Sequence, residues 1–352
     1  MEWKEGDSMQ VKEQEFGNDS HLITLINDQK TELAVTDFGA RIVHLQTLID
    51  GTKRELILGF DHAEEYLTKD AYIGATIGRT AGRIAKGKFY LNNQEYQAKI
   101  SEETGHCLHG GDPSFETKNW PYTIIKGENE ISVIFYLTSP DQENGFPGNL
   151  DIEARYTLTN DDVWRISIRG ISDQLTLFNP TNHVYFNLTG DVTEPIDQHE
   201  LWLASRFFAP LQKDLIPKGE VAPVKGTAFD FTTPKALSDV FISDFPQAKM
   251  VGGMDHPFFL QKTGQMNRVA KLTSPDKKVA IQIATNAGSI VLFTANFGDD
   301  APVMRGDKLV NHGGITFETQ EAPGSERFES FGDITLVPNQ ARVFVTEYQI
   351  KK

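Results

Sequence analysis

The chain has 352 residues and a formal charge of -15, with 34 Lys and Arg against 49 Asp and Glu. This balance opposes a nucleic-acid partner, because phosphate binding rests on clustered Lys and Arg; acidic residues spread along the chain serve solubility. The lone cysteine, Cys107, can form no internal disulfide and no apolar run approaches a membrane span, so the expected location is cytoplasmic, with no membrane partner.

The opening MEWKEGDSMQ carries both signs of charge and lacks the apolar stretch of a signal peptide. The glycosylation sequons at Asn18 and Asn187 are therefore read as accidental. From Glu64 to Asp70 there is room for a single helical turn. Gly74 to Phe89, GATIGRTAGRIAKGKF, comes close to a phosphate loop, with four residues between Gly82 and the pair Gly87-Lys88. Phe89 stands where Ser or Thr is required, and FYLNNQEYQ beyond it reads as a hairpin turning at Asn92 and Asn93 rather than a helix. Arg79 and Arg83 are read as planar donors able to bridge hydroxyls or a carboxylate, with surface ion pairing as the ordinary alternative.

In ETGHCLHGG, His106, Cys107 and His109 lie close together. Regular β structure would put the two histidines on opposite faces, and further ligands at recognisable spacing are missing, so no metal is expected. Gly110 and Gly111 permit a close backbone approach, as in a binding loop. Ile131 to Leu137 reads as a strand. Leu150 to Leu158 alternates strictly, Trp164 to Ile168 repeats the pattern, and Asn160-Asp161 between them completes a hairpin.

The run FNPTNHVYFNLTG, Phe178 to Gly190, places His183 among strand-forming residues with a polar flank, which is how a catalytic side chain on a stiff surface reads. Ser238 to Phe245 allows a short helix. In VGGMDHPFFL, Asp255 follows a glycine pair; it is either a turn former or a ligand residue. Val279 to Ala284, Ile290 to Thr294 and Val343 to Ile350 are further strands. In GGITFETQEAPGS, alternation sets Ile315 and Phe317 on one face and Thr316, Glu318 and Gln320 on the other, a polar stripe suited to a hydroxyl-rich ligand. The expected fold is all-β, a large antiparallel β-sandwich, with one domain over residues 1–352.

His183, His109 and Glu318 form the inventory of a general acid/base site. GRTAGRIAKGKF, LHGG, TNHVYFNL, GGMDHPF and ETQ, in this order and at these separations, closely resemble the aldose 1-epimerases, the galactose mutarotases. The resemblance runs from about Asp37 to the C-terminus. It implies the mutarotase β-sandwich, no cofactor, and interconversion of the α and β anomers of a free hexose, D-galactose foremost and also D-glucose. It makes His183 the acid toward the ring oxygen and Glu318 the base for the anomeric hydroxyl. His109, Arg83 and Asp255 become sugar ligands, and Phe293 takes the place of the aromatic residue lining the sugar. Where many members read Asn-Arg, this chain has Gly82-Arg83.

Ordinary values of about 4.3 for Glu and about 6.5 for His leave His183 mostly neutral at pH 7, so the acid role predicts a carboxylate nearby that raises it. Cys107 has no activating partner in sequence and is read as structural. Three alternatives stay open. A glycoside hydrolase would use Asp255 and Glu318 as its carboxyl pair. An epimerase could act instead on maltose, or on a hexose 6-phosphate, for which Arg79, Lys86 and Lys88 supply positive charge. A non-catalytic carbohydrate-binding protein would need only the ligands.

Overall fold

The structure, a computed structural model, describes residues 9–261 and 265–352; the charged start of the chain lies mostly outside them. Every strand pair is antiparallel, and the strands form three substantial sheets that stack as a β-sandwich. The largest has nine strands, ordered Tyr122–Lys126, Glu130–Ser139, Leu150–Thr159, Val163–Ser172, Arg342–Lys351, Ala280–Thr285, Asn267–Thr273, Glu200–Leu203, Lys235–Ala236.

The expected hairpin is at its centre, with Leu158 opposite Trp164 across the Asn160-Asp161 turn. Its inward residues are those the alternation assigns: Ile152, Ala154, Tyr156, Trp164, Ile166 and Ile168 are all buried. Trp164 stacks on Tyr348 of the neighbouring strand at 4.4 Å between ring centroids, a cross-strand pair worth roughly 1 kcal/mol beyond its burial. The final strand, Arg342–Lys351, joins the hairpin to Ala280–Thr285, so the chain's end closes the middle of the sheet.

A five-stranded meander, Gln10–Gly17 to Thr52–Glu55, packs Ile23, Leu25, Leu33, Ile42 and Leu45 into the same core. The third sheet orders Ala222–Pro223, Phe207–Phe208, Asp255–Phe259, Ser289–Phe293 and Glu318–Gln320. Its period of two divides its faces: His256, Phe258, Ile290 and Leu292 are fully buried behind it, while Asp255, Pro257, Val291, Phe293, Glu318 and Gln320 line a cavity in front.

Several local expectations need correction. The helix expected from Ser238 to Phe245 stops at Phe241, and Pro246 opens a second helix, Pro246–Val251, from its first position. The single turn near Glu64 is the helix Ala63–Thr68. The run around His183 is not one strand; Thr181–Asn182 and Tyr185–Phe186 are separated at His183 and Val184. The His183 backbone instead donates to Ala75 O at 2.9 Å and accepts from Gly74 N at 2.9 Å. The hairpin Lys88–Leu91 with Gln94–Gln97 turns through Asn92 and Asn93, both at positive φ, as expected. Asn187 is buried, its amide donating to the carbonyls of Asp191, Glu194 and Gly313, so its sequon is a structural site.

Candidate active site

The front of the third sheet is the floor of a cavity of roughly 290 Å³, at the small end for a small-molecule site. Glu318 and Gln320 rise from the edge strand, Asp255 and Phe293 face each other across the adjoining pair, and Val291 lies beside Glu318. Two glycines deliver Asp255. Gly252 ends the helix Pro246–Val251 in the left-handed conformation, and a Cβ on Gly253 would stand 2.5 Å from Thr294 Oγ1. Asp255 thus begins a strand rather than capping a turn.

The opposite wall comes from the Gly74–Leu108 region and the broken strand. Arg83 pairs with Leu108 in a short ladder, and just beyond it Gly82 and His109 bond reciprocally: His109 N donates to Gly82 O at 3.0 Å, and Gly82 N donates to His109 Nδ1 at 3.2 Å. With Nδ1 accepting, the neutral His109 ring carries its proton on Nε2. Gly110 permits this: a Cβ there would meet Gly78 O at 2.2 Å.

His183 lies between the two walls. Its Nε2 is 3.6 Å from Glu318 Oε1, and its ring is 5.2 Å from that of His109, nearly perpendicular. The imidazole and the carboxylate therefore share one cavity, together with Arg83, Asp255, His109 and Phe293. Arg83 holds Glu102 through Nε at 2.9 and 3.2 Å and points Nη1 at Asp255 Oδ2, 3.9 Å away. Thr316 donates to Glu318 Oε1 at 3.0 Å, so the polar stripe expected on this strand is present.

The electrostatics are dominated by burial, which favours neutral forms. Burial pushes Glu318 up to about 7, against the Thr316 hydrogen bond and the Arg83 charge. Asp255 is also raised, by burial and then by Glu318 and Glu102, against Arg83. Burial lowers His183 to about 4, and the field of Asp70 opposes this without overcoming it. The expected elevation of His183 is therefore absent from the free protein: a carboxylate is near, but the dry surroundings outweigh it. His109 is held well below its ordinary value by burial, His183 and Arg83.

Arg79 is not a ligand. It is buried, and its guanidinium donates to Ser139 Oγ, Thr176 Oγ1 and the carbonyls of Ser139, Pro140, Pro147 and Gly148. Lys86 and Lys88 do not line the cavity either; Lys88 pairs with Glu95. Cys107 is buried and its thiol is pushed up to about 12, which keeps it inert. His106 faces away, its Nδ1 accepting from Lys86 N at 3.0 Å.

The sequence reading missed several lining residues. Tyr72 packs its ring 4.7 Å from His109, and Tyr185 lies 5.2 Å from His183. Tyr185 is two residues after His183, a spacing that could have flagged it. Leu211, Leu215 and Pro217 close another side from a loop with no sequence signal.

The third sheet of the β-sandwich thus presents a buried imidazole and carboxylate beside the charged groups Arg83 and Asp255 in one cavity, an arrangement able to exchange protons with a small polar ligand. The chain matches the aldose 1-epimerase family over residues 21–349 and belongs to it. It is 32% identical over 337 residues to the aldose 1-epimerase of Escherichia coli, covering 95% of this chain and 96% of that one. It is 34% identical over 291 residues to the galactose mutarotase of Homo sapiens, covering 82% of each. The crystal structure of galactose 1-epimerase from Lactobacillus acidophilus superposes with a TM-score of 0.86 at 30% identity, over 98% of both chains. The protein is thus an enzyme, an aldose 1-epimerase acting in carbohydrate metabolism. Among the described residues no helix is long and apolar enough to cross a membrane.

Proposed function

We propose that the enzyme interconverts the anomers of free D-galactose, and of D-glucose, by opening and reclosing the pyranose ring. The observation that carries this reading is the 3.6 Å approach of His183 Nε2 to Glu318 Oε1 within one cavity. Ring opening takes a proton from the anomeric hydroxyl and gives one to the ring oxygen as the C1–O5 bond breaks, its electron pair going to O5. Glu318 accepts the first proton and His183 donates the second. The aldehyde turns about C1–C2 and closes on its other face, with both transfers reversed. Arg83, Asp255 and His109 hold hydroxyls, and Phe293 meets an apolar edge of the sugar.

Burial makes the neutral His183 and protonated Glu318 the resting pair, which carries one proton in total. The reactive arrangement, imidazolium with carboxylate, has the same proton count. Hydroxyls of the bound sugar add polar contacts around the pair, and the Asp70 field favours the imidazolium. The pair keeps its single proton between about pH 4 and pH 7, so kcat/KM is expected to be bell-shaped with those limbs. A rate that climbs through pH 7 to a plateau would instead reduce His183 to a hydrogen-bond donor and move the acid role to His109.

A sugar phosphate is disfavoured as substrate. No lysine lines the cavity among the described residues, and Arg83 already faces Glu102 and Asp255. The single buried cysteine suits a reducing cytoplasm. Polarimetry of freshly dissolved α-D-galactose tests the reaction directly: accelerated approach to the equilibrium rotation is expected. Hydrolysis of a galactoside, or preference for glucose 6-phosphate, would overturn it.

A further inference from the structure

We infer that the Gln320 carboxamide is a sugar-hydroxyl ligand that helps to set which aldose the enzyme accepts; this rests on the reaction proposed above. Gln320 is fully buried, lines the catalytic cavity, and neither its Oε1 nor its Nε2 has a hydrogen-bond partner. Buried amides in proteins are almost always satisfied, and an exception calls for a cause. Two other buried amides, Asn179 and Asn187, are held by protein partners. Asn179 donates to Glu321 O and accepts from Glu321 N, and Asn187 donates to three carbonyls.

Gln320 is not loose. Its backbone is paired with Ser289, whose hydroxyl donates to Gln320 O at 2.9 Å. Two residues beyond Glu318 on the same strand, it shares the catalytic face, about 6.6 Å along the strand. Its Nε2 lies 3.7 Å from where a Cβ of Gly82 would be, so with no side chain at Gly82 this amide borders that corner of the cavity. A carboxamide offers one acceptor and a donor pair, which matches a hydroxyl or two neighbouring hydroxyls. A site built to bond a hydroxyl also rejects the analogue without it, since the amide is then left buried and unpaired.

The test replaces Gln320 with Met, similar in shape and apolar, and measures Kd for galactose and its 2-, 3-, 4- and 6-deoxy derivatives. Wild-type affinity for galactose is expected to fall by roughly 3- to 12-fold, the worth of one hydrogen bond. The same substitution should have no effect on binding of the one deoxy sugar that lacks the partner hydroxyl. The free variant should melt at or above the wild-type temperature, because an unpaired amide has been removed. Equal losses on every sugar, no loss on galactose, or a lowered melting temperature would overturn the assignment. Should the variant not fold, the Gln320 side-chain amide resonances of the wild-type protein must still shift on galactose binding; unmoved resonances would also overturn it. Binding and mutarotation are read separately, so a protein that loses galactose affinity in Gln320→Met yet never catalyses mutarotation would refute the reaction and keep the ligand.

Discussion

Two glutamate–histidine pairs in this molecule are chemically alike and electrostatically opposite. Glu55 accepts from His44 Nδ1 at 2.7 Å, Gln46 Nε2 at 3.0 Å and Leu45 N at 2.9 Å, and pairs with Arg305 at 3.2 Å. Burial pushes its carboxyl upward, but His44, Arg305 and the backbone donor together hold it below the ordinary value. Glu318 has one hydroxyl donor and a histidine at 3.6 Å, so burial wins and the carboxyl is raised to about 7. The number of donors, rather than the presence of a histidine, separates a structural carboxylate from one that can exchange a proton near neutral pH. Glu55 ties the first meander to the Arg305 loop; Glu318 is left underbonded in a cavity.

The sharpest way to break this contrast is to remove each carboxylate in turn. Glu318→Gln should lower the mutarotation rate on the order of 100-fold or more, the ordinary worth of one acid/base partner. Glu55→Gln should leave the rate within a few-fold in the folded protein. Polarimetry on both variants decides it, and similar losses for the two would erase the distinction.

Stability should respond in the reverse order. Glu55→Gln strands His44 and Arg305 and is expected to cost about 3 kcal/mol in urea unfolding at pH 7. Glu318→Gln replaces a buried carboxyl by a neutral isostere and should be neutral or stabilising there.

The pH dependence of stability separates the partners within the His183–Glu318 pair. Glu318, raised from about 4.5 to about 7, binds a proton more tightly when folded, so its contribution is full below pH 4.5 and lost as pH rises to 7. His183, lowered from 6.5 to about 4, does the reverse: its contribution is full above pH 6.5 and lost as pH falls to 4. The two slopes nearly cancel in the wild type. Glu318→Gln should leave stability rising by about 3 kcal/mol from pH 4 to 6.5, and His183→Asn should leave it falling by about 3 kcal/mol from pH 4.5 to 7, relative to a double variant. Glu55, with its depressed carboxyl, adds stability above its unfolded value that is lost on acidification. Flat profiles in both single variants would mean that burial does not control the pair.

How legible each region was in the sequence follows the same physics. Alternation exposed Leu150–Thr159, Val163–Ser172 and Arg342–Lys351 because each has one wet and one dry face. The meander from Gln10 escaped notice. Its first strand is polar and mostly exposed, and Glu32–Thr36 is buried on both faces, so neither alternates. That His183, Glu318 and Asp255 line one cavity was legible through the family resemblance, carried by motif order and separation. Composition could not separate Arg79 from Arg83, since it is silent on whether a guanidinium ends among carbonyls or in a cavity; the family resemblance alone singled out Arg83. The protonation of His183 was misjudged for a related reason: the nearby carboxylate was foreseeable, but the degree of burial was not.

The smallest expected effect concerns Gly82, where this chain departs from the Asn-Arg pattern. Its φ is +76°, and a Cβ would stand 2.5 Å from Cγ and 2.9 Å from Cβ of Pro323, a ring with little room to turn aside. Gly82→Ala should therefore cost about 1–3 kcal/mol in unfolding, from left-handed strain and crowding. The same residue's N–H fixes the His109 tautomer, so relief of the clash by backbone movement would lengthen the 3.2 Å bond to Nδ1. A drop in kcat/KM accompanying the stability loss is the expected signature. If stability falls while kcat/KM holds, the Gly82–His109 contact is scaffolding, and His109 is oriented by the neighbouring Tyr72 and His183 rings.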